Sequence, residues 1–238
     1  PYRPEGGGGK LGWMTFSIVG YCPLRNQFGI AITTSSIAVG SRCPWVRAGI
    51  GAVVTQNVTD PRLGNEILDL LADGFSPKAA IQRKTDRCAH SEHRQLTAID
   101  SQGRTAHFTG AKTLGTNAVA EGKNCIAAGN LLSNSGVVQA MVAGFEVSGE
   151  SFFADRLLAA LRAGLEAGGE EGPVHSASLL VAGEQSWPLV DLRVDWHDAD
   201  PIGQLTRLWK DYEPQMDDYV IRALDPDSAP SYGVPGDL

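Results

Sequence analysis

The chain predicts an α+β fold, a four-layer αββα sandwich of two mainly antiparallel sheets. Three observations carry this. Strand-like and helix-like segments come in groups (strands, a helix pair, strands, a helix pair, strands) rather than in the strict alternation of a parallel doubly wound sheet. Neighbouring strands are joined by a few turn-forming residues, which pair them as hairpins. Each helical segment carries a single apolar stripe that needs a sheet to cover it.

The first strand, Met14-Thr15-Phe16-Ser17-Ile18-Val19, alternates polar and apolar residues. Pro23 and Asn26 then form a turn, and the second strand runs from Phe28 to Thr34. A hairpin centred on Leu24 and Arg25 places Thr34 opposite Thr15. Gly49 to Gln56 is a third, apolar strand. Asp60-Pro61 supplies a cap and a proline at the first helical position, opening a helix with Leu63, Ile67, Leu70 and Leu71 on one face and Gly74 at its end. Ser76-Pro77 opens a short second helix through Ala79, Ala80 and Ile81. Strands from Gln95 to Asp100 and Arg104 to Thr109 meet in a tight hairpin at Ser101-Gln102-Gly103. The stretch to Gly122 is irregular apart from a short strand around Ala118 to Ala120, and Cys125 to Ala128 is a strand stopped at Gly129-Asn130. Val138, Met141, Val142 and Phe145 form one apolar stripe, and Phe153, Leu157, Leu158, Leu161 and Leu165 another, divided at Ser148-Gly149 and ended at Gly168-Gly169. Strand pattern returns over Ser176 to Val181 and Leu189 to Val194. A last helix carries Ile202, Leu205, Leu208, Trp209 and Tyr212.

Residues 14–213 thus read as one domain, and 214–238 as a C-terminal helix and extended tail lying on the surface or on a neighbouring subunit. Residues 1–13, with Gly6 to Gly9 among them, read as a flexible leader, either an expression remnant or a start placed too early. They are no phosphate loop: Pro4 stands where the first glycine belongs, and Leu11 where a Ser or Thr would hold magnesium.

With 42% hydrophobic and 20% charged residues among 238, the chain can bury a substantial core and is not of disordered type. A formal charge of -7 argues against nucleic acid or an anionic membrane as partner. No apolar run reaches the length of a membrane span, and no basic-then-apolar signal opens the chain, so a cytoplasmic location is expected. Cys22, Cys43, Cys88 and Cys125 form no C-x-x-C pair and read as free thiols. Cys88-Ala89-His90-Ser91-Glu92-His93 is either a metal half-site or a polar surface loop; its spacing matches no common zinc pattern, and neither a metal nor a cofactor is expected. The G-x-S-x-G elbow and H-E-x-x-H do not occur.

Thr15 is the first candidate for chemistry. A small residue directly behind methionine becomes the first residue when aminopeptidases remove that methionine, and the freed α-amine then sits beside the threonine hydroxyl as a base. The amine has an unperturbed pKa of about 7.7 to 8.0, so a neutral fraction exists near physiological pH. While any residue remains attached, that nitrogen is an amide and cannot serve. The plain alternative is a polar start to a strand, which threonine favours. Thr34, Ser35 and Ser36 line the same place at the end of the second strand, with Ser17 on the first; the alternative for these hydroxyls is ordinary loop chemistry.

Several blocks resemble a known family: Met14 to Val19, Ala38-Val39-Gly40-Ser41, Pro44-Trp45, Gly49 to Gln56, Arg94-Gln95-Leu96, His107-Phe108-Thr109-Gly110, Gly129-Asn130-Leu131-Leu132, Asp191 to Asp195 and Ala229 to Asp237. The chain is similar over these to the DUF1028 proteins, an uncharacterised family held to be N-terminal-nucleophile (Ntn) hydrolase-like. The resemblance implies a sandwich like that of proteasome subunits and of amidohydrolases that cleave amides with a first-residue Thr, Ser or Cys, and it maps Thr15 onto the nucleophile. It also suggests Asn130 as an oxyanion or substrate donor, against a glycine-turn asparagine as the alternative. The family tends to carry a basic residue near position 35; serine stands here, which leaves a cationic helper without a candidate.

The expected function is therefore an amidohydrolase or peptidase cleaving a small amide or peptide bond through Thr15, cofactor-free, with a homodimer as the assembly. The alternative is a catalytically silent sandwich serving as a ligand-binding or assembly module.

Overall fold

The first hairpin sets the frame for everything that follows. In the computed structural model, which describes residues 14–147, 152–231 and 233–234, strands β1 (Thr15–Cys22) and β2 (Gln27–Thr34) pair antiparallel from Cys22 opposite Gln27 to Thr15 opposite Thr34, the expected register. Asn26, at a φ of 47°, closes the turn between them; asparagine tolerates that left-handed conformation better than most side chains. The leader expected over 1–13 and the helix break expected at Ser148-Gly149 lie outside the described residues.

A strand not expected from the sequence, β3 (Pro44–Arg47), pairs with β4 (Gly51–Asn57). Four residues beginning on a proline give little strand signal, and a proline is tolerated here because β3 is the edge of its sheet. Helices α1 (Arg62–Ala72) and α2 (Pro77–Thr85) come next. Helix α1 starts one residue later than expected, with Pro61 in the cap position rather than the first helical one, although the Asp60 carboxylate still accepts from the Arg62 amide at 3.2 Å. Gly74 at a φ of 88° follows the end of α1, and the Ser76 hydroxyl accepts from the Ala79 amide at 3.3 Å. The chain continues through β5 (Arg94–Asp100), β6 (Thr105–Thr109), β7 (Ala118–Gly122), β8 (Cys125–Asn130), α3 (Gly136–Val147), α4 (Phe153–Glu166), β9 (Ser176–Ala182), β10 (Pro188–Val194), α5 (Pro201–Tyr212) and α6 (Met216–Leu224).

The strands form a six-stranded sheet in the order β10-β9-β2-β1-β8-β7 and a four-stranded sheet in the order β3-β4-β5-β6, with antiparallel pairing throughout. Three apolar layers hold them. Phe16 and Ile18 of β1 pack under Met141, Phe145, Leu157 and Leu161 of α3 and α4. Glycines let these helices approach closely: a Cβ on Gly29 would stand 2.5 Å from Leu157 Cδ1, and one on Gly20 would stand 2.9 Å from the Phe145 ring. On the other side, Leu63, Ile67, Leu71 and Ile81 of α1 and α2 cover Val53, Leu96 and Ala98. Between the sheets lie Val19, Phe28, Ile30, Ile32, Val54, Ile99 and Ile126, all fully buried. Each such side chain removed from water contributes roughly 1.5–3 kcal/mol. Among the described residues, no helix is long and apolar enough to cross a membrane.

Candidate functional site

Side chains on a strand point alternately to its two faces, so on β1 Phe16 and Ile18 face the helices while Thr15, Ser17 and Val19 face the other sheet. Moving from Val19 towards the strand start, the inter-sheet layer turns polar. The Ser17 hydroxyl donates to Gln56 Oε1 at 2.7 Å, Gln56 Nε2 to Gln95 Oε1 at 2.7 Å, and Gln95 Nε2 to the Gly129 carbonyl at 3.0 Å. Asn130 Nδ2 also donates to Gln95 Oε1, at 3.1 Å. The fixed Gly129 carbonyl sets every amide in this chain of bonds: Gln95 must present nitrogen to it, so Gln95 Oε1 accepts and Asn130 must donate. That leaves Asn130 Oδ1 buried without a partner.

Thr15 sits in the middle of this end, with Thr34 opposite it on one side and Asn130 on the other. Its hydroxyl donates to Thr34 Oγ1 at 3.1 Å, and Thr34 Oγ1 in turn donates to the carbonyl of Met14. The Ser35 amide reaches the same carbonyl at 3.4 Å, while the Met14 amide donates to Ser35 Oγ at 3.2 Å. The carbonyl oxygen immediately before Thr15 thus accepts from two donors, the Ser35 amide and the Thr34 hydroxyl to which Thr15 itself donates. Thr15 is 5% exposed and Met14 6%, and the Met14 side chain packs so close to Gly172 that a Cβ there would come within 2.7 Å of its Cε. With Met14 attached, the Thr15 nitrogen is a peptide amide and its hydroxyl is covered.

Ser36 Oγ lies 3.3 Å from Thr34 Oγ1 and accepts from Arg42 Nη2 at 2.5 Å. Arg42 Nη1 also donates to the carbonyls of Ile37 at 2.5 Å and Ala38 at 2.7 Å. A cation therefore stands one residue removed from Thr34, supplied by the short 3-10 turn that follows β2 rather than by position 35. Glu170 closes the site from another direction. It follows Gly168 and Gly169, whose φ values of 120° and 58° turn the chain out of α4, and it bridges to Leu132 just past β8. Its side chain is buried and neither carboxyl oxygen completes a hydrogen bond. Burial pushes its pKa well up, and the nearby Ser35 amide only partly opposes that, so burial favours the neutral form. Burial also raises the Cys43 thiol to about 11 and the Cys125 thiol to about 12, which leaves both protonated and poor nucleophiles.

The structure brings Thr15, Ser17, Thr34, Ser35, Ser36 and Asn130 to one end of the sandwich. Gln56, Gln95, Arg42 and Glu170 belong there too and were not expected. Among the described residues, no group of three or more His, Cys, Asp or Glu side chains is placed to hold a metal ion.

Fold and site together define a mixed α+β protein whose two antiparallel sheets enclose a polar, threonine-led end. The chain belongs to the DUF1028 family, a family of unknown function whose model matches residues 15–205. Among solved structures it is similar to the protein SPO2555 from Silicibacter pomeroyi, described as of the same family, with a TM-score of 0.78 and 33% identity over 84% of this chain and 89% of that one. No curated protein matches.

Proposed function

We propose that the protein is an amide hydrolase of the N-terminal-nucleophile type, acting through Thr15 on a small amide or peptide bond. The observation that carries this reading is the set of contacts around the Met14 carbonyl. In the intact chain, the carbonyl before Thr15 is held by the Thr34 hydroxyl and the Ser35 amide. Once the bond to Met14 is cut, a substrate acyl group seated in the vacated space meets the same two donors, and Thr15 carries a free amine.

The amine takes the proton of the Thr15 hydroxyl as Oγ1 attacks the acyl carbon, and the negative charge that develops on the carbonyl oxygen falls on Thr34 and Ser35. The amine returns the proton to the leaving nitrogen as the C–N bond breaks, leaving an ester on Thr15. Water, deprotonated by the same amine, attacks the ester carbon; as the bond to Thr15 Oγ1 breaks, the amine returns the proton to Oγ1 and the acid leaves. Asn130 Oδ1, the unpartnered acceptor beside Thr15, suits an N–H of the amine and would fix its lone pair towards the hydroxyl. Arg42 holds Ser36, and through it the Thr34 loop. Burial favours the neutral form of Glu170, which sets no charge against the oxyanion. No step calls for a metal or cofactor.

An acylating β-lactone probe offered to protein whose chain begins at Thr15 tests this. The label should map to Thr15, and Thr15→Ala should take none while unfolding at the same denaturant concentration to within about 1 kcal/mol, as expected for loss of one hydrogen bond. A label on another residue, or equal labelling of Thr15→Ala, removes the reading. The burial of Thr15 with Met14 in place is what favours the rival, a silent ligand-binding or assembly module, and it predicts no label at all. A homodimer completes the proposal, with Tyr219, Ile221 and Leu224 of α6 exposed for the contact; a monomer mass by sedimentation at micromolar concentration would exclude it.

A further inference from the structure

The outer side of the four-stranded sheet carries a cleft of about 580 Å3 that the chemistry at Thr15 does not use. Its walls are α1, the last turn of α2, the loop after α2 and the first residue of β5. Arg62, Arg83, Lys84, Arg87 and Arg94 line it with His90, against only two carboxylates, Asp60 and Glu66. A chain of net charge -7 has gathered five of its 20 Lys and Arg residues here. Two of the five are neutralised locally, Arg62 by Asp60 at 2.7 Å and Lys84 by Glu66 at 3.1 Å. Arg83, Arg87 and Arg94 make no ion pair among the described residues. Arg83 lies against the Phe75 ring, 5.1 Å from its centroid. Arg94 spends Nη1 on the Val58 carbonyl, yet its Nε is buried with no hydrogen-bond partner.

Three guanidinium groups without an ion pair line one cavity, and a bound anion supplies the opposite charge that they lack there. We infer that this cleft binds a small phosphorylated molecule, its phosphoryl oxygens seated among Arg83, Arg87 and Arg94. Guanidinium forks match phosphate oxygens two at a time. The volume suits a metabolite-sized ligand rather than a polymer, and Leu63 and Leu70 give an apolar wall for the remainder of the molecule. This is not the hydrolytic site: Gln95, the next residue along β5, points through the opposite face of the sheet into the inter-sheet layer, so a sheet separates the two.

Calorimetric titration of the full chain with inorganic pyrophosphate, with citrate and with a hexaglutamate peptide tests the inference. Pyrophosphate should bind more tightly than citrate or the peptide, and its affinity should fall as salt is raised from about 50 to about 200 mM. Arg83→Glu with Arg87→Glu should weaken it roughly hundredfold, and Arg87→Ala, at an exposed position beyond α2, roughly tenfold. Lys123→Glu with Arg207→Glu, the same charge change elsewhere on the surface, should leave it unchanged. Absence of pyrophosphate binding, or equal weakening by the control pair, overturns the proposal. Tighter citrate binding would turn the site over to carboxylates, and tighter peptide binding to an acidic protein segment; either result also overturns it.

Discussion

The two ends of the inter-sheet layer are built from the same five strands and differ completely in chemistry. Following each strand along the face it turns to the other sheet, Val19 gives way to Ser17 and Thr15, Ile32 to Thr34, Ile126 to Ala128 and Asn130, Val54 to Gln56, and Ile99 to Thr97 and Gln95. Nothing in sandwich packing requires this, since an apolar residue at any of these places would bury without a desolvation cost. Five strands changing at the same end instead concentrate hydroxyls and amides around one residue, Thr15. The orphaned Thr97 Oγ1, Asn130 Oδ1 and both Glu170 oxygens are among the buried polar atoms left without a partner. The apolar end holds the sheets together, and the polar end gives up some of that stability to gather hydroxyls and amides around Thr15.

The sharpest way to break this division is Thr34→Val, which removes the hydroxyl that links Thr15 to the carbonyl oxygen while keeping the shape. Loss of one oxyanion donor should slow acylation of processed protein by about a hundredfold to a thousandfold, read from the rate of probe labelling. An unchanged rate would mean that this hydroxyl serves only the fold. At the apolar end, Ile30→Ala should cost about 2–5 kcal/mol in urea unfolding and leave the labelling rate of the folded fraction close to wild type. Gln95→Leu tests whether the polar end is sealed: Gln56 Nε2, Asn130 Nδ2 and the Gly129 carbonyl would lose their common partner, at about 1–3 kcal/mol. A loss near zero would show that water already reaches them.

The smallest effect is read as a slope. Glu170 keeps its proton in the fold above the ordinary carboxyl value of 4.5, whereas in the unfolded chain it ionises there. The stability it contributes is therefore fully present below pH 4.5 and is lost as pH rises from there through the raised value in the fold. Glu170→Gln should flatten that part of the stability profile and be the more stable protein at the alkaline end. An identical slope in both proteins would mean that Glu170 is not a buried neutral acid.

Much of the fold could be read from local pattern, because hairpin register is a matter of counting. A turn at Leu24 and Arg25 makes Thr34 the partner of Thr15 with no knowledge of the rest of the molecule. Strand β3 was missed because it is short and starts with proline. In the site, Gln56 and Gln95 left a signal that alternation exposes: each continues an inward-facing row, after Ala52 and Val54 in one case and before Thr97 and Ile99 in the other. Asn130 came from family resemblance alone, since pairing of β8 with β1 spans more than a hundred residues of chain. Arg42 and Glu170 left no readable signal. One reaches back from a 3-10 turn and the other is delivered by a two-glycine exit from α4, and only tertiary packing brings either to Thr15.

The central claim is that an unblocked Thr15 amine makes its own hydroxyl reactive. Intact-mass measurement of protein produced from a start at Met14 and then treated with the acylating probe bears on it most directly. The predicted species begins at Thr15 and carries a single acyl group. A chain that still holds Met14 and is acylated just as well, or one that begins at Thr15 and takes no acyl group, would contradict the account.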